Sequence, residues 1–306
     1  MNIDTIKPQK LAIYYGWPSA VNGAGGNVNN AVQTYKNYDL LVLGQGLELA
    51  THPDHLNTVS IISHTEMVNT LVFGYIDAVL PIDDIQDKIE LWAAMGVKGI
   101  FLDQFGYDFG VSREKQRAII WSVHHYQIGS NRLSAFVNAW NPDDAFSSNI
   151  DAIHNPLGKS TKLNETDWYL AESFAIKNGN YDDDDTNGNT IKDWQDKAIK
   201  LTGPGGYRQT YGTKIAAVTT NDFSSYDQNK TNYSYYASVI NLFDAWGWGE
   251  EFFSASSAQL PFRDRPLIIG TYFTHPINIV NGILERQTNI GVHIDTNNHT
   301  TSTLLD

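Results

Sequence analysis

Two short stretches place acids where acids are costly. In GIFLDQFGYDFG (99–110) an apolar run ends on Asp103 and Gln104, and an aromatic, Gly-rich loop then brings a second acid, Asp108. In DWYLAESFAI (167–176) Glu172 follows the apolar WYLA directly. A carboxylate at the end of a buried run must be paired or put to use. Two carboxylates facing each other across a cleft suit glycoside hydrolysis. One protonates the leaving oxygen, and the other attacks the anomeric carbon or activates water. Other residues near the ends of apolar runs agree in type: Tyr15, Trp17, Gln45, Glu48, Tyr75, Asp77, Asn138, Trp140, Asn221, Asp222, Trp246 and Trp248. Acids and amides bind hydroxyls, and flat aromatic faces stack on sugar rings. With Gln104 and Asp108 these residues are the candidate substrate contacts; Asp103 and Glu172 are the candidate catalytic pair.

The same set is nearly free of Lys, Arg, His and Cys, which excludes other chemistries. Phosphoryl transfer wants cations or a phosphate loop. A Ser-His-Asp site wants a histidine at a strand end. A barrel isomerase or aldolase wants a lysine or a phosphate loop there. The chain has no cysteine, so disulfides and thiolate catalysis are out. The close histidine pairs are His52/His55, in a loop, and His124/His125, at adjacent helix positions that face different ways, so no metal or other cofactor is expected. DDDDTNGN (182–189) opens like a calcium loop from Asp183. Its twelfth position is Trp194 rather than Glu, leaving a degenerate calcium site or, by default, a solvated acidic loop.

The formal net charge is −13. Such a chain repels phosphate backbones, which argues against nucleic acid and suits a neutral or cationic ligand, although solubility alone also explains it. The opening MNIDTIKPQK has no apolar core, so no signal peptide is expected, and no run approaches the ~20 residues of a membrane span. The compartment is left open. The Asn- and Tyr-rich composition leaves room for a depolymerase carried on a virion or cell surface.

The pattern of apolar runs says what must position these residues. Strands are expected at 11–17, 40–45, 71–78, 98–104, 133–140, 167–176, 213–222 and 250–256. Helical stretches are expected at 28–38, 54–67, 82–96, from Ser112 to about 127, near 190–202 and at 235–247. In IDDIQDKIELWAAMG, Ile85, Ile89, Leu91, Trp92 and Met95 recur near helical spacing. Alternating strands and helices imply parallel strands with right-handed crossovers. Eight of them predict an α/β fold, a (β/α)8 TIM barrel over 1–260, in preference to an open nucleotide-binding sheet. GAGGN (23–27) is no dinucleotide fingerprint and there is no Walker motif. The remainder, 261–306, predicts a small β extension with strands in GILERQT and NIGVHIDT, then a frayed polar tail. In such a barrel the site lies at the C-terminal strand ends. Strands four and six can bring two carboxylates about 5–9 Å apart.

The motifs GIFLDQFGYDF and YLAESF, the first after a GVKG turn, resemble the endo-α-1,4-polygalactosaminidase family of glycoside hydrolases. The related spherulin-4-like barrels share the strand-four motif but carry an acid where this chain has Gln104. The resemblance follows strand order over most of 10–256 and is sharp only in these two motifs. It does not account for the loop 141–166, the insert 177–190 or the tail. It implies a retaining mechanism, with Asp103 as nucleophile and Glu172 as acid/base. It also implies an α-1,4-linked galactosamine polymer as substrate. The rival expectation is a barrel that binds carbohydrate without turning it over, as a surface or virion structural protein.

Overall fold

The computed structural model describes residues 8–128, 131–220, 226–249, 265, 273, 275–286 and 291–304. Eight parallel strands close on themselves: β1 (Gln9–Tyr14), β2 (Leu40–Leu43), β3 (Leu71–Asp77), β4 (Gly99–Asp103), β5 (Ser134–Asn138), β6 (Trp168–Ala171), β7 (Lys214–Val218) and β8 (Ala245–Gly247). The chain is a (β/α)8 barrel. Its outer helices are α1 (Val28–Tyr35), α2 (His55–Ile62), α3 (Ile82–Ala94), α4 (Arg113–His125), the short α5 (Pro142–Phe146), α6 (Asp193–Thr202), α7 (Tyr207–Tyr211) and α8 (Gln228–Ile240).

Alternation of side chains sorts each strand into two faces. Leu11, Ile13, Leu40, Val42, Phe73, Phe101, Phe136, Trp168, Leu170, Ala216, Val218 and Ala245 form one buried cluster that fills the barrel. Phe136 is its hub, edge-on to Phe73 at 5.4 Å and to Phe101 at 5.3 Å. The opposite faces meet the helices. Gly74 is glycine because a Cβ there would stand 2.1 Å from the Trp92 ring of α3. Ile85, Ile89, Trp92 and Met95 are buried as the spacing predicts, whereas Leu91 faces outward. Ser112 caps α4 by accepting the amide of Lys115.

The barrel floor has a repeated device. Asp39, Asp167 and Asp244 stand immediately before β2, β6 and β8, and each accepts a backbone N–H from a neighbouring strand, at Lys10, Ala135 and Ile215. This fixes the register of strand entry without using side chains at the other end.

Three expectations need correction. The eighth strand is Ala245–Gly247, inside the stretch 235–247 expected to be helical; the run 250–256 lies outside the described residues. The helix starts earlier, at Gln228, and stops at Ile240. Leu242 takes a left-handed φ of 58° and turns the chain toward β8. The sixth strand ends at Ala171 instead of 176. Ser173 (φ 55°) and Ala175 (φ 63°) break the extended backbone, and Ile176–Lys177 pairs instead with Asn180–Tyr181 in a small hairpin.

The polar tail is also more than a frayed end. β9 (Asn278–Val280), β10 (Ile283–Arg286), β11 (Gly291–Asp295) and β12 (Thr300–Leu304) form an antiparallel sheet. Asp295 caps the last turn by accepting the amides of Asn297 and Asn298. Leu284, Val292 and Ile294 join the apolar cluster that includes Tyr233 and Tyr236 of α8, so the extension shares the barrel's outer core.

Candidate active site

The residues at the barrel mouth continue the inward alternation by one step. Tyr15 lies two residues beyond Ile13, Tyr75 beyond Phe73, Asp103 beyond Phe101, Asn138 beyond Phe136 and Glu172 beyond Leu170. The backbone turns away at once after both acids: Gln104 has φ 53° and Ser173 φ 55°, a left-handed conformation that ordinary residues adopt rarely. Asp103 is thus left at the rim as the last residue of β4, and Glu172 as the first residue past β6.

A hydrogen-bond chain joins them. Tyr75 Oη donates to Asp103 Oδ2 at 2.8 Å. Asn138 Nδ2 donates to Asp103 Oδ1 at 2.9 Å and to Glu172 Oε2 at 2.9 Å. Both N–H bonds of one planar amide are used, which puts the two acceptor oxygens roughly 5 Å apart. Burial raises the Glu172 pKa above the ordinary carboxylate range. The hydrogen bond from Asn138 opposes the shift, the negative charge of Asp103 adds to it, and the cation of Lys197 opposes it. Tyr75 is also raised, by burial and then by Asp103, so it stays a donor. Tyr15 packs edge-on to Tyr75 at 5.5 Å, and its pKa too is raised by desolvation and by the nearby acids.

Other candidates distribute around this centre. Trp17, Gln45 and Trp140 are exposed at the same end of the barrel; Trp17 packs edge-on to His52 at 5.8 Å. Asp77 lies in register with Asp103 and accepts the amide of Val79. Asp108 sits in a helical turn (Tyr107–Phe109) against Gly106 and close to Asp144. Asn221 and Asp222 lie outside the described residues.

Three candidates are corrected. Glu48 is 1% exposed and ion-paired to Lys88 of α3, so its carboxylate is committed to packing a helix. Trp246 points outward: its indole N–H donates to Ser234 Oγ of α8, and its ring packs on Tyr235. Trp248 is buried against Tyr226. Both tryptophans fall on the helix-facing alternation of β8, and the misplaced eighth strand is what made them look like rim residues.

Lys197 was not expected at the site. It comes from α6 rather than from a strand end, and nothing in its local sequence marks it. Its ammonium lies 4.3 Å from the centre of the Trp140 ring, and burial pulls its pKa down to about 8. The acidic loop is held by its own partners. Asp183 pairs with Lys192 and His299, Asp184 with Lys177, and Asp185 accepts the amides of Asn189 and Thr190. Among the described residues no group of three or more His, Asp or Glu converges to hold a metal ion, and no helix is long and apolar enough to cross a membrane.

No family model and no curated protein matches the sequence. Solved structures match at low identity. The enoyl reductase domain from the macrolactin biosynthesis cluster of Bacillus amyloliquefaciens is 11% identical with a TM-score of 0.46, over 78% of this chain and 52% of that one. A rubisco-like protein from Burkholderia fungorum is 8% identical with a TM-score of 0.43, over 80% and 55%. The carboxyl transferase domain of Rhizobium etli pyruvate carboxylase is 11% identical with a TM-score of 0.44, over 80% and 40%. The chain spans about half the length of the first two. The assignment of the barrel rests on the strand pairing itself.

Proposed function

We propose that the protein is a retaining glycoside hydrolase acting on a polysaccharide, with an α-1,4-linked galactosamine polymer as the substrate that the motif resemblance favours. The observation that carries this reading is the Asn138 bridge between Asp103 and Glu172. A carboxylate spacing near 5 Å leaves no room for a water between acid and sugar and suits direct attack, whereas inverting pairs stand roughly 6.5–9.5 Å apart.

Burial raises the Glu172 pKa, which favours its protonated form and suits it to the role of acid. It protonates the glycosidic oxygen as the bond to the anomeric carbon breaks. Asp103, fixed on both oxygens by Tyr75 and Asn138, attacks that carbon and forms the glycosyl ester. The Glu172 carboxylate then takes a proton from water, which displaces Asp103 and restores both groups. Exposed Trp17 offers a ring face to the sugars of the chain. An acidic protein with this mouth fits a neutral or amino-sugar polymer better than a polyanion.

The test is reducing-end release from a panel of polysaccharides, acetylated and deacetylated galactosamine polymers among them. Glu172→Gln and Asp103→Asn are run beside the wild type. Turnover lost in both variants while binding persists supports the assignment. Glycan binding with no turnover by the wild type would instead make this a carbohydrate-binding barrel, of the kind a surface or virion assembly could carry.

A further inference from the structure

Ser173, Phe174 and Ala175 are all that separate Glu172 from the hairpin Ile176–Lys177/Asn180–Tyr181. Each strand of that hairpin is two residues long. Two-stranded hairpins are marginal on their own, so this one depends on what supports it. Its first half rests on the segment just past β7. Asn178 N–H donates to Thr220 Oγ1, Gly179 N–H donates to the Thr220 carbonyl, and the Ile176 carbonyl accepts from Thr220 N–H. Ser173 Oγ and Thr220 Oγ1 also hydrogen-bond, at 2.8 Å. The position of the Glu172 backbone is thus coupled to the position of the hairpin.

The returning half is held by the outer sheet. The His299 ring lies flat on the Tyr181 ring, with centroids 4.0 Å apart and planes within 3° of each other. His299 Nε2 donates to Asp183 Oδ1 at 2.9 Å, across 116 positions of sequence. Tyr233 of α8 stands edge-on to both rings, 5.1 Å from Tyr181 and 5.8 Å from His299. The turn that carries His299 does not need these contacts, because Asp295 already fixes it by accepting the amides of Asn297 and Asn298. His299 itself takes a left-handed φ of 54°, which histidine and asparagine tolerate better than most residues. The stacking and the Nε2 hydrogen bond of the ring are thus spent on the insert rather than on its own sheet.

We propose that His299 is a positioning residue: it straps the returning half of the hairpin to the outer sheet and so steadies the Glu172 carboxyl from a distance. Its effect on catalysis rests on the hydrolase reading above; its effect on the hairpin does not. The strap gives the insert 177–190 and the C-terminal extension, neither of which the motif resemblance accounts for, one joint role at the barrel mouth.

The experiment uses the full chain with two variants. His299→Asn keeps the left-handed backbone and removes the ring; Tyr181→Phe keeps the stacked pair. Amide hydrogen exchange is followed over residues 176–184, the barrel strands and residues 291–304. In His299→Asn, exchange over 176–184 should quicken about tenfold, the scale of losing one charge-assisted hydrogen bond, while the barrel and the outer sheet stay unchanged. Tyr181→Phe should match the wild type. On a polymer that the wild type cleaves, His299→Asn should lower kcat about tenfold and leave KM unchanged, because the reacting carboxyl loosens while the sugar contacts remain. Unchanged exchange over 176–184 overturns the strap and leaves the hydrolase reading standing. Faster exchange shared by the outer sheet and the barrel makes His299 a general stabilising residue, which also overturns it. Local loosening with an unchanged kcat overturns the positioning role. A wild type that cleaves no polymer overturns the hydrolase reading, and the exchange result then decides the strap by itself.

Discussion

Asp103 and Glu172 share a single donor, the Asn138 amide nitrogen, which lies 2.9 Å from each. Neither acid can swing without releasing a hydrogen bond, and the one to the Asp103 carboxylate is charge-assisted, worth about 1.5–3 kcal/mol. Asn138→Ala should therefore lower kcat by about 10–100-fold with little change in KM, because it frees the geometry of the reacting groups while leaving the outer subsites intact. Steady-state kinetics on the polymer measure this; an unchanged kcat would remove Asn138 from the mechanism.

Tyr75 holds the other oxygen of Asp103. Tyr75→Phe keeps the ring packing and removes only that donor, so kcat should fall about tenfold while the melting temperature barely moves. Because Tyr75 is held protonated well above its ordinary range, the alkaline limb of the profile should be the same in the variant and the wild type. A shifted alkaline limb would implicate the phenol in proton transfer.

Glu172 makes a prediction about stability as well as activity. Its pKa is raised on folding, chiefly by burial, so the native state binds its proton more tightly than the unfolded state. Stability from this group is then fully present below the ordinary glutamate pKa and is lost as pH rises through the raised one. Glu172→Gln lacks that loss. It should be more stable than the wild type at neutral pH, with the gap closing at pH 4. Urea midpoints at the two pH values measure it, and a constant gap would contradict the assignment. Activity should fall over the same rising window, as the acid loses its proton.

The barrel interior offers a test of the scaffold. Phe136 is fully buried and touches Phe73, Phe101 and Trp168. Phe136→Ala should cost about 3–5 kcal/mol, the range for a buried aromatic truncated to a cavity. Denaturant unfolding with an unchanged m-value would report it. A loss under 1 kcal/mol would mean that the centre of the barrel collapses around the hole.

Much of the fold was legible because seven strands are short apolar runs bounded by helical patterns, each lying within or beside its expected run even where, as in the sixth, it stops short of the expected end. The eighth was hidden. AWG is three residues long and follows directly on a helix rich in the same residue types, so periodicity ran the two together. A usable signal was present in DAWG, since DLLVL and DWYLA begin their strands with the same acid. The pair Asp103 and Glu172 could be read because an acid at the end of an apolar run is chemically conspicuous. Asn138 was legible only as one amide among several; its role as bridge depends on β5 lying between β4 and β6. Glu48 read in sequence as a substrate contact. Its partner Lys88 sits 40 residues away on a helix, and local spacing carries no trace of that pairing. Lys197 reaches the site from a helix and was invisible for the same reason.

The outer sheet has a consequence for how the chain is made. α8 lies between the barrel and the sheet formed by residues 278–304. Tyr233 meets the ring of His299, and Arg286 donates to the carbonyl of Ile240 at the end of the helix. During synthesis the last barrel strand emerges well before that covering does. A ribosome-bound chain stopped after Gly249 would hold all eight barrel strands and still expose one side of α8, with the apolar residues that Leu284, Val292 and Ile294 later seal. Burial of that side of α8 thus waits for strands β9 to β12, and the barrel and its appendage mature as one unit.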